Sequence, residues 1–376
     1  MTFESFNRTA ARIEARIATW PAHVYVGVVV LAAVTLSVFF FSPKFQLWDF
    51  AIEGSYETTR ARTFLQQCAA PFDPVSDRAM QWRLLPPLVC HFLQLGPRLS
   101  LVFPWVGVGF LLASATVIFQ RHGLTRLQAA LATALLGTSS AVIVPIMWLG
   151  VNDAWVWAAL LWVSFGHTRW SWMLAALLAP WIDERFIIGF PLAFAVRLAI
   201  SSSPDSPLGL VSLAGRLALA GLALLPYAAA RLFVSVQFGD EQSHAFLASV
   251  LTGFVTWVPF APLGWWMGFR AGWLPILYAA FFFRRHAFGA VPALGALSLL
   301  VMMVLASDLS RSAAIVLPLL VAGLIVAPRY HPRWTTFGLA LVLAANLALP
   351  ALHVVYTKVD VISPLPLEIF RVLRKL

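Results

Sequence analysis

Apolar runs long enough to cross a lipid bilayer recur along almost the whole chain, separated by charged residues and by Pro or Gly breaks. The pattern predicts about eleven membrane spans. They lie at about 23–42, 99–120, 127–147, 152–166, 170–182, 185–200, 208–234, 262–283, 287–306, 312–327 and 335–353. With no repeat or soluble domain between them, residues 1–376 are predicted to form a single membrane domain. The expected fold is an all-α polytopic membrane protein.

Composition agrees with this fold and excludes other classes. The chain is 60% hydrophobic and only 11% charged, whereas soluble domains carry about 25% charged residues. Its formal net charge of +10 could suggest nucleic acid, but the Lys and Arg residues punctuate apolar runs instead of clustering on a hydrophilic face. No nucleic-acid partner is therefore expected. Two cysteines, Cys68 and Cys90, are too few for a cysteine-based zinc site or a disulfide scaffold. They leave two readings open: one disulfide in an oxidising compartment, or buried thiols.

Residues 1–22 predict an amphipathic helix. Arg8, Arg12 and Arg16 recur every fourth residue, and the apolar side chains Phe3, Phe6 and Ile13 lie opposite them. Such a helix suits the anionic cytoplasmic leaflet. No cleavage site with small residues follows the first apolar run, so that run is expected to stay as a span.

Placing the N-terminus inside gives a strong positive-inside pattern. The inward connections then carry Arg121, Arg126, Arg169, Arg197, Arg284, Arg285, Arg329 and Arg333, while nearly all acidic residues outside the N-terminal segment lie on outward ones. Arg270, near the outer end of its span, either pairs with an outer acid or marks a misplaced boundary. The large loop at 43–85 becomes the first periplasmic loop and is expected to carry interfacial helices. Segments 84–96 and 245–260 are predicted to be interfacial or re-entrant.

Four acidic groups are predicted to face the outer side. Helical spacing would put Asp49, Glu53 and Glu57 on one stripe. The other groups are Asp153 after Asn152, the string Asp183-Glu184-Arg185-Phe186, and Asp308 with Arg311. Each has a simpler reading, such as a helix-dipole contact for Asp153 or a local i,i+3 ion pair for Asp308. The string at 183–186 is the hardest to explain simply, because it interrupts an apolar stretch.

Arg83 lies in Gln81-Trp82-Arg83-Leu84-Leu85-Pro86-Pro87, where the long loop returns to the membrane. A guanidinium group at the membrane surface can bind two oxygens of a lipid phosphate. That phosphate could belong to a specific carrier or to bulk lipid. Outward carboxylates beside such arginines suit group transfer from a lipid-phosphate carrier. No Gly-rich phosphate loop is present, which disfavours a nucleotide-sugar donor.

At these residues the chain resembles the GT-C superfamily of integral-membrane glycosyltransferases. Asp49 matches the catalytic acid that follows the first span in that superfamily, with Glu53 and Glu57 nearby. Asp183, Arg185 and Phe186 are similar to the tail of the mannosyltransferase motif His-Lys-Glu-x-Arg-Phe. Trp181-Ile182 stands where that motif has His-Lys, and the first loop has no Asp-x-Asp, so a Mg²⁺ or Mn²⁺ requirement stays open and no metal ligand is assigned. The stretch at 81–87 and the Asp-x-x-Arg at 308–311 also resemble uncharacterised bacterial membrane proteins.

The resemblance implies a glycosyltransferase at the periplasmic face of a bacterial inner membrane, with a polyprenyl-phosphate sugar as donor and a glycan, lipid or protein as acceptor. Asp49 is the first candidate for the base, with Glu53 and Asp183 as rivals. Substrate contacts are expected from Glu57, Arg83, Asp153, Glu184, Arg185, Asp308 and Arg311. The alternative is a transporter or lipid flippase with an outward-facing charged cavity. Acyl or phospho-alcohol transfer is a third reading.

Overall fold

The computed structural model describes residues 3–44, 56–73, 80–201, 210–238, 253–285, 289–306, 308–332 and 335–374. Helices dominate this part of the chain. Their bounds are α1 Phe3–Ile17, α2 Ala22–Phe40, α3 Tyr56–Ala69, α4 Leu85–Phe92, α5 Pro97–Arg121, α6 Arg126–Gly137, α7 Ser140–Met147, α8 Asp153–Phe165, α9 Arg169–Leu178, α10 Arg185–Ser201, α11 Leu210–Phe238, α12 Ala261–Phe269, α13 Trp273–Arg285, α14 Ala290–Leu305, α15 Leu309–Ser312, α16 Leu317–Tyr330, α17 Thr335–Ala348 and α18 Leu365–Leu373. The helical fold predicted from the sequence is confirmed in this coarse form.

Four helices are long and apolar enough to cross a membrane. They lie at Ala22–Phe40, Pro97–Arg121, Ala214–Phe233 and Leu309–Tyr330, the last including the 3₁₀ turn between α15 and α16. The bent pair of α6 and α7 adds a fifth if it counts as one span. These helices identify a membrane protein by length and composition, although the other predicted spans are shorter or broken.

The centre of the bundle is built around α8 and the segment Leu309–Tyr330. Helix α8 packs between α5 and α10, and α16 packs against α13 while also touching α8 and α10. The apolar window of Leu309–Tyr330 is entirely buried by neighbouring helices, whereas that of α2 is mostly exposed. Charged residues at the first turns of α8, α10 and α15 are therefore carried into the protein interior.

Helix α1 lies at the end of the bundle where α6 and α17 begin. The Glu14 carboxylate accepts hydrogen bonds from the backbone N–H groups of Arg126 and Leu127 at 3.0 and 2.7 Å. The rings of Phe3 and Phe6 pack edge-on against Phe337. The helix expected within residues 1–22 is thus present, with Phe3 and Phe6 packed on the bundle and Ile13 exposed.

The all-α prediction misses a β-hairpin near the C-terminus. The last predicted span, 335–353, stops at Ala348, and Ala351–Val355 (β1) pairs antiparallel with Lys358–Ile362 (β2). Pro350 follows the helix and cannot continue its hydrogen bonding, and both strands are rich in valine, which favours extended backbone. The segment predicted at 84–96 corresponds to α4. Half of the segment predicted at 245–260 lies outside the described residues, and its described half, 253–260, is helical.

Arg270 marks a break between α12 and α13, so of the two expectations for this residue the boundary is the correct one. Its backbone adopts φ 48°, its side chain is fully buried, and it donates a hydrogen bond to the carbonyl oxygen of Thr138 at the end of α6. The guanidinium group also lies 4.4 Å from the ring centroid of Phe41. No acidic partner is found for it in the described part of the chain.

Candidate functional site

Six of the predicted site residues meet in one buried ion-pair network. Its members come from four separate places in the sequence and lie near the first residues of α4, α8, α10 and α15: Arg83, Asp153, Asp183, Arg185, Asp308 and Arg311. We call this set the ion-pair network. It holds three arginines and three carboxylates, so its formal charges cancel. Burying a charge is costly unless it is paired and hydrogen-bonded, which explains why so many partners gather here.

Asp183 is held by two arginines at the start of α10. Arg185 donates to its carboxylate from the backbone N–H at 3.0 Å, from Nε at 2.9 Å and from Nη2 at 2.8 Å. Nη1 of Arg83 lies 3.1 Å from Oδ2 of the same carboxylate. Burial alone would raise the pKa of Asp183, but the positive charges of Arg185 and Arg83 hold the pKa well below its usual range. Asp183 is therefore a fixed anion and a weak proton acceptor.

Asp153, the first residue of α8, joins two of the arginines. Its Oδ1 accepts from Nη2 of Arg185 at 2.6 Å and from Nη2 of Arg311 at 2.5 Å, and its Oδ2 accepts from Nε of Arg311. The guanidinium of Arg185 also lies 5.5 Å from the ring centroid of Trp157, one turn further along α8. The guanidinium N–H groups of Arg185 and Arg311 thus donate mainly to carboxylates of the protein itself.

A second chain of polar contacts ties the β-hairpin to the network through Asp308. The Asp308 carboxylate caps α15 by accepting from the backbone N–H of Arg311 at 3.2 Å, and it lies 3.6 Å from Nε2 of His353. Nδ1 of His353 is 3.0 Å from Oγ of Ser310, which in turn accepts from the backbone N–H of Val354 at 3.1 Å. Burial lowers the pKa of His353, although Asp308 opposes the shift. The imidazole is therefore neutral at pH 7.

Glu184 belongs to a different environment from its neighbour Asp183. Its carboxylate accepts a hydrogen bond from Oη of Tyr227 at 3.1 Å and lies 3.4 Å from Nη1 of Arg231, and both partners are on α11. The Arg231 guanidinium stacks 4.4 Å from the ring centroid of Trp82. This exposed contact connects α11 to the returning end of the first loop and stands apart from the ion-pair network.

A small polar cavity lies between the ion-pair network and α3. It is lined by Arg60, Phe64, Gln67, Met80, Arg83, Gly150, Asn152, Asp153, Ile182 and Asp183. Its volume of about 10 Å³ is roughly the room that one water molecule needs. Three buried polar atoms around it have no hydrogen-bond partner within the described chain: Oε1 of Gln67, Nε of Arg83 and Oδ1 of Asn152. Native proteins rarely leave such atoms unsatisfied without a water or ligand.

The position of the remaining predicted site residues is described only in part. Asp49 and Glu53, the first candidates for the base, lie outside the described residues. Glu57 lies in the first turn of α3, and its side chain is not described. In the described part of the chain, no three His, Cys, Asp or Glu side chains are grouped so that they could hold a metal ion.

Two contributors were missed by reasoning from the sequence. His353 was absorbed into the last predicted span, and only the run of alternating valines at 351–362 could have indicated a hairpin there. Gln67 gives no signal in sequence, because a single glutamine in a polar helix is ordinary. Its importance follows from complete burial and from its contacts. Nε2 donates to the Met80 carbonyl oxygen at 2.9 Å, Oε1 has no hydrogen-bond partner in the described chain, and the residue lines the cavity.

Comparisons of the chain with known protein families, curated proteins and solved structures found no match.

Proposed function

We propose that this protein is a glycosyltransferase of the GT-C type, which moves a sugar from a polyprenyl-phosphate donor to an acceptor hydroxyl. The observation that carries the proposal is the setting of Arg83. One guanidinium nitrogen, Nη1, is anchored on Asp183, while its Nε, buried beside the polar cavity, has no partner within the described chain. An arginine fixed in this way is pre-oriented to donate to a phosphate oxygen without a further loss of side-chain freedom.

The network supports a division of roles among the charged residues. Asp153 and Asp183 act as positioning residues, because their carboxylates hold arginines and Asp183 is a weak base. Arg60 also lines the cavity. Since that space holds about one water molecule, one oxygen of the carrier phosphate would take the place of a water beside Arg60 and Arg83. The base is then assigned to Asp49 or Glu53 in the loop that leads into α3.

The proposed step is a displacement at the anomeric carbon of the donor sugar. The base, Asp49 or Glu53, takes the proton of the acceptor hydroxyl as its oxygen bonds to that carbon. The bond from the carbon to the carrier phosphate oxygen breaks, and polyprenyl phosphate leaves with the electron pair. Arg83 stabilises the negative charge that develops on the departing phosphate.

We further propose that the site faces the periplasm of a bacterial inner membrane. The ion-pair network gathers at the ends of α4, α8, α10 and α15, whereas α1 sits against the first residues of α6 and α17. Helix α5 runs from α4 towards Arg121, so these are opposite ends of the bundle. The positive-inside rule then assigns the arginine-rich end to the cytoplasm.

The test is donor turnover by the purified protein in detergent or nanodiscs, with a panel of undecaprenyl-phosphate sugars and release of undecaprenyl phosphate measured by mass spectrometry. Asp49→Asn and Arg83→Gln are each expected to reduce turnover at least 100-fold, the order of loss for a general base or an anion-stabilising donor. Arg98→Gln is the matched control, because Arg98 is exposed at the start of α5. Full activity in both test variants would overturn the assignment.

A second candidate, a transporter or lipid flippase, is favoured by two broken helices that meet beside Arg270. Helices α6 and α7 are bent by 55° at their break, and Arg270 at the α12–α13 break contacts the Thr138 carbonyl there. Transporters often place substrate sites at such breaks. Flipping of a fluorescent polyprenyl phosphate in proteoliposomes, abolished by Arg270→Met and retained in Asp49→Asn, would favour this function over transfer.

A further inference from the structure

The two cysteines of the chain lie against each other in a buried contact between the first loop and the bundle. Cys68 is in the last turn of α3 and Cys90 is in α4, and both are buried free thiols. They belong to one apolar cluster with Phe64, Met80 and Leu101. Because 21 residues separate them in sequence, their meeting is a product of the tertiary fold.

Helix α3 packs directly against α4, and the Cys68 and Cys90 side chains meet in the apolar cluster between the two helices. The backbone is held in the same place, since Nδ1 of His91 lies 3.0 Å from the Cys68 carbonyl oxygen. A disulfide requires two Cys residues on adjacent backbone segments, and two packed helices that bury both side chains in one cluster meet that condition.

We propose that Cys68 and Cys90 form a disulfide bond that fastens α3 to α4. The bond forms by thiol–disulfide exchange with an oxidised dithiol of a folding catalyst. The thiolate of one cysteine attacks a sulfur of the donor and forms a mixed disulfide. The thiolate of the other cysteine then attacks its partner's sulfur in that mixed disulfide, and the donor leaves as a dithiol that has taken up two electrons and two protons. Both sulfurs are buried in the finished fold, so exchange takes place before α3 packs.

The bond would fix one wall of the polar cavity. Gln67 is adjacent to Cys68, and Arg83 lies two residues before α4. Fastening α3 to α4 therefore holds two lining residues of the cavity, Gln67 and Arg83, in place. The proposal rests on the outward placement of the first loop in the proposed function, because stable disulfides belong to oxidising compartments. It does not depend on sugar transfer.

The experiment counts thiols in the full-length protein expressed in a bacterial inner membrane. Cells are quenched with acid, the protein is denatured, and free thiols are coupled to a 5 kDa polyethylene glycol maleimide with and without prior reduction. The expected result is no adduct without reduction and two adducts after it. Cys68→Ser and Cys90→Ser are each expected to give one adduct without reduction. Two adducts on the unreduced wild type would overturn the proposal. A disulfide-linked dimer in the unreduced sample, in place of the monomer, would overturn it as well.

A companion variant separates failure of the bond from failure of the topology. Phe72→Cys in the Cys68→Ser/Cys90→Ser background puts a thiol on an exposed position of the same loop, and Arg8→Cys puts one on α1. A membrane-impermeant maleimide applied to spheroplasts is expected to label only the first. If Cys68 and Cys90 are reduced while Phe72→Cys is labelled, the disulfide alone fails. If only Arg8→Cys is labelled, the outward site of the proposed function fails with it.

Discussion

Asp183 and Glu184 are neighbours in sequence with nearly the same chemistry, but their ion pairs are expected to contribute very different amounts to the stability of the fold. The side chain of Asp183 is 3% exposed and contacts two arginines, whereas that of Glu184 is 39% exposed beside Arg231. Asp183→Asn removes the negative charge with which Arg185 and Arg83 are paired. Breaking a buried ion pair by removing one partner costs about 3–5 kcal/mol. Glu184→Gln breaks an exposed pair, which is worth about 0–1 kcal/mol.

The assay is thermal unfolding of the purified protein in detergent, followed by the intrinsic fluorescence of its 16 tryptophans. We expect Asp183→Asn to lower Tm by about 4–6 °C and Glu184→Gln by about 1 °C or less. An unfolding entropy of roughly 2.1 cal/mol/K per residue over 376 residues corresponds to about 1.3 °C per kcal/mol. The two variants differ by one position and by the same chemical change, so each controls for the other. Equal shifts, or a larger shift for Glu184→Gln, would refute the distinction between buried and exposed carboxylates.

Three further predictions concern the surrounding framework. The depressed pKa of His353 means that the folded state resists protonation; stability is full above the ordinary value of 6.5 and falls as pH drops from 6.5 towards the folded pKa. Melting curves at pH 7.5 and 5.5 should therefore show a loss that His353→Gln reduces, and an unchanged loss would contradict this. Gly150 has φ 75°, so Gly150→Ala is expected to lower the free energy of unfolding by about 1–2 kcal/mol. Chemical denaturation measures this, and the control Gly96→Ala is expected to change it little. Thr125→Ala removes the capping box of α6 and should lower the free energy of unfolding by about 1 kcal/mol in the same measurement. A variant as stable as the wild type would contradict this prediction.

The distribution of apolar residues predicted most of the helices, because a helical segment in or near a bilayer needs a continuous apolar surface. It could not predict where helices break. Arg270 looked like a misplaced charge within one span, and the structure explains it as a buried contact to the carbonyl oxygen that ends α6. The β-hairpin was missed because Pro350 and the valines that follow it continue an apolar run without interrupting its hydropathy.

The structure brings together Asp153, Asp183 and Asp308, which come from three of the four acidic groups singled out in the sequence. Their partners could not be assigned from sequence. Asp308 and Arg311 were expected to be either a local pair or site residues. In the structure, Arg311 makes its closer contacts with Asp153, 158 residues away, and is 3.8 Å from Asp308. Spacing rules reach only three or four residues along a helix. Pairings between helices depend on which faces pack together.

By itself, the sequence determined that this chain is a helical membrane protein with its acidic residues grouped between apolar runs, because hydropathy acts residue by residue and is visible in any window. The tertiary structure decided which of those acids are buried, which arginine each one holds, and that Gln67 and Arg83 meet at a polar cavity. It also brought Cys68 and Cys90 into contact. These outcomes depend on packing between distant segments, where a difference of one position, as between Asp183 and Glu184, separates a buried ion pair from a solvated one.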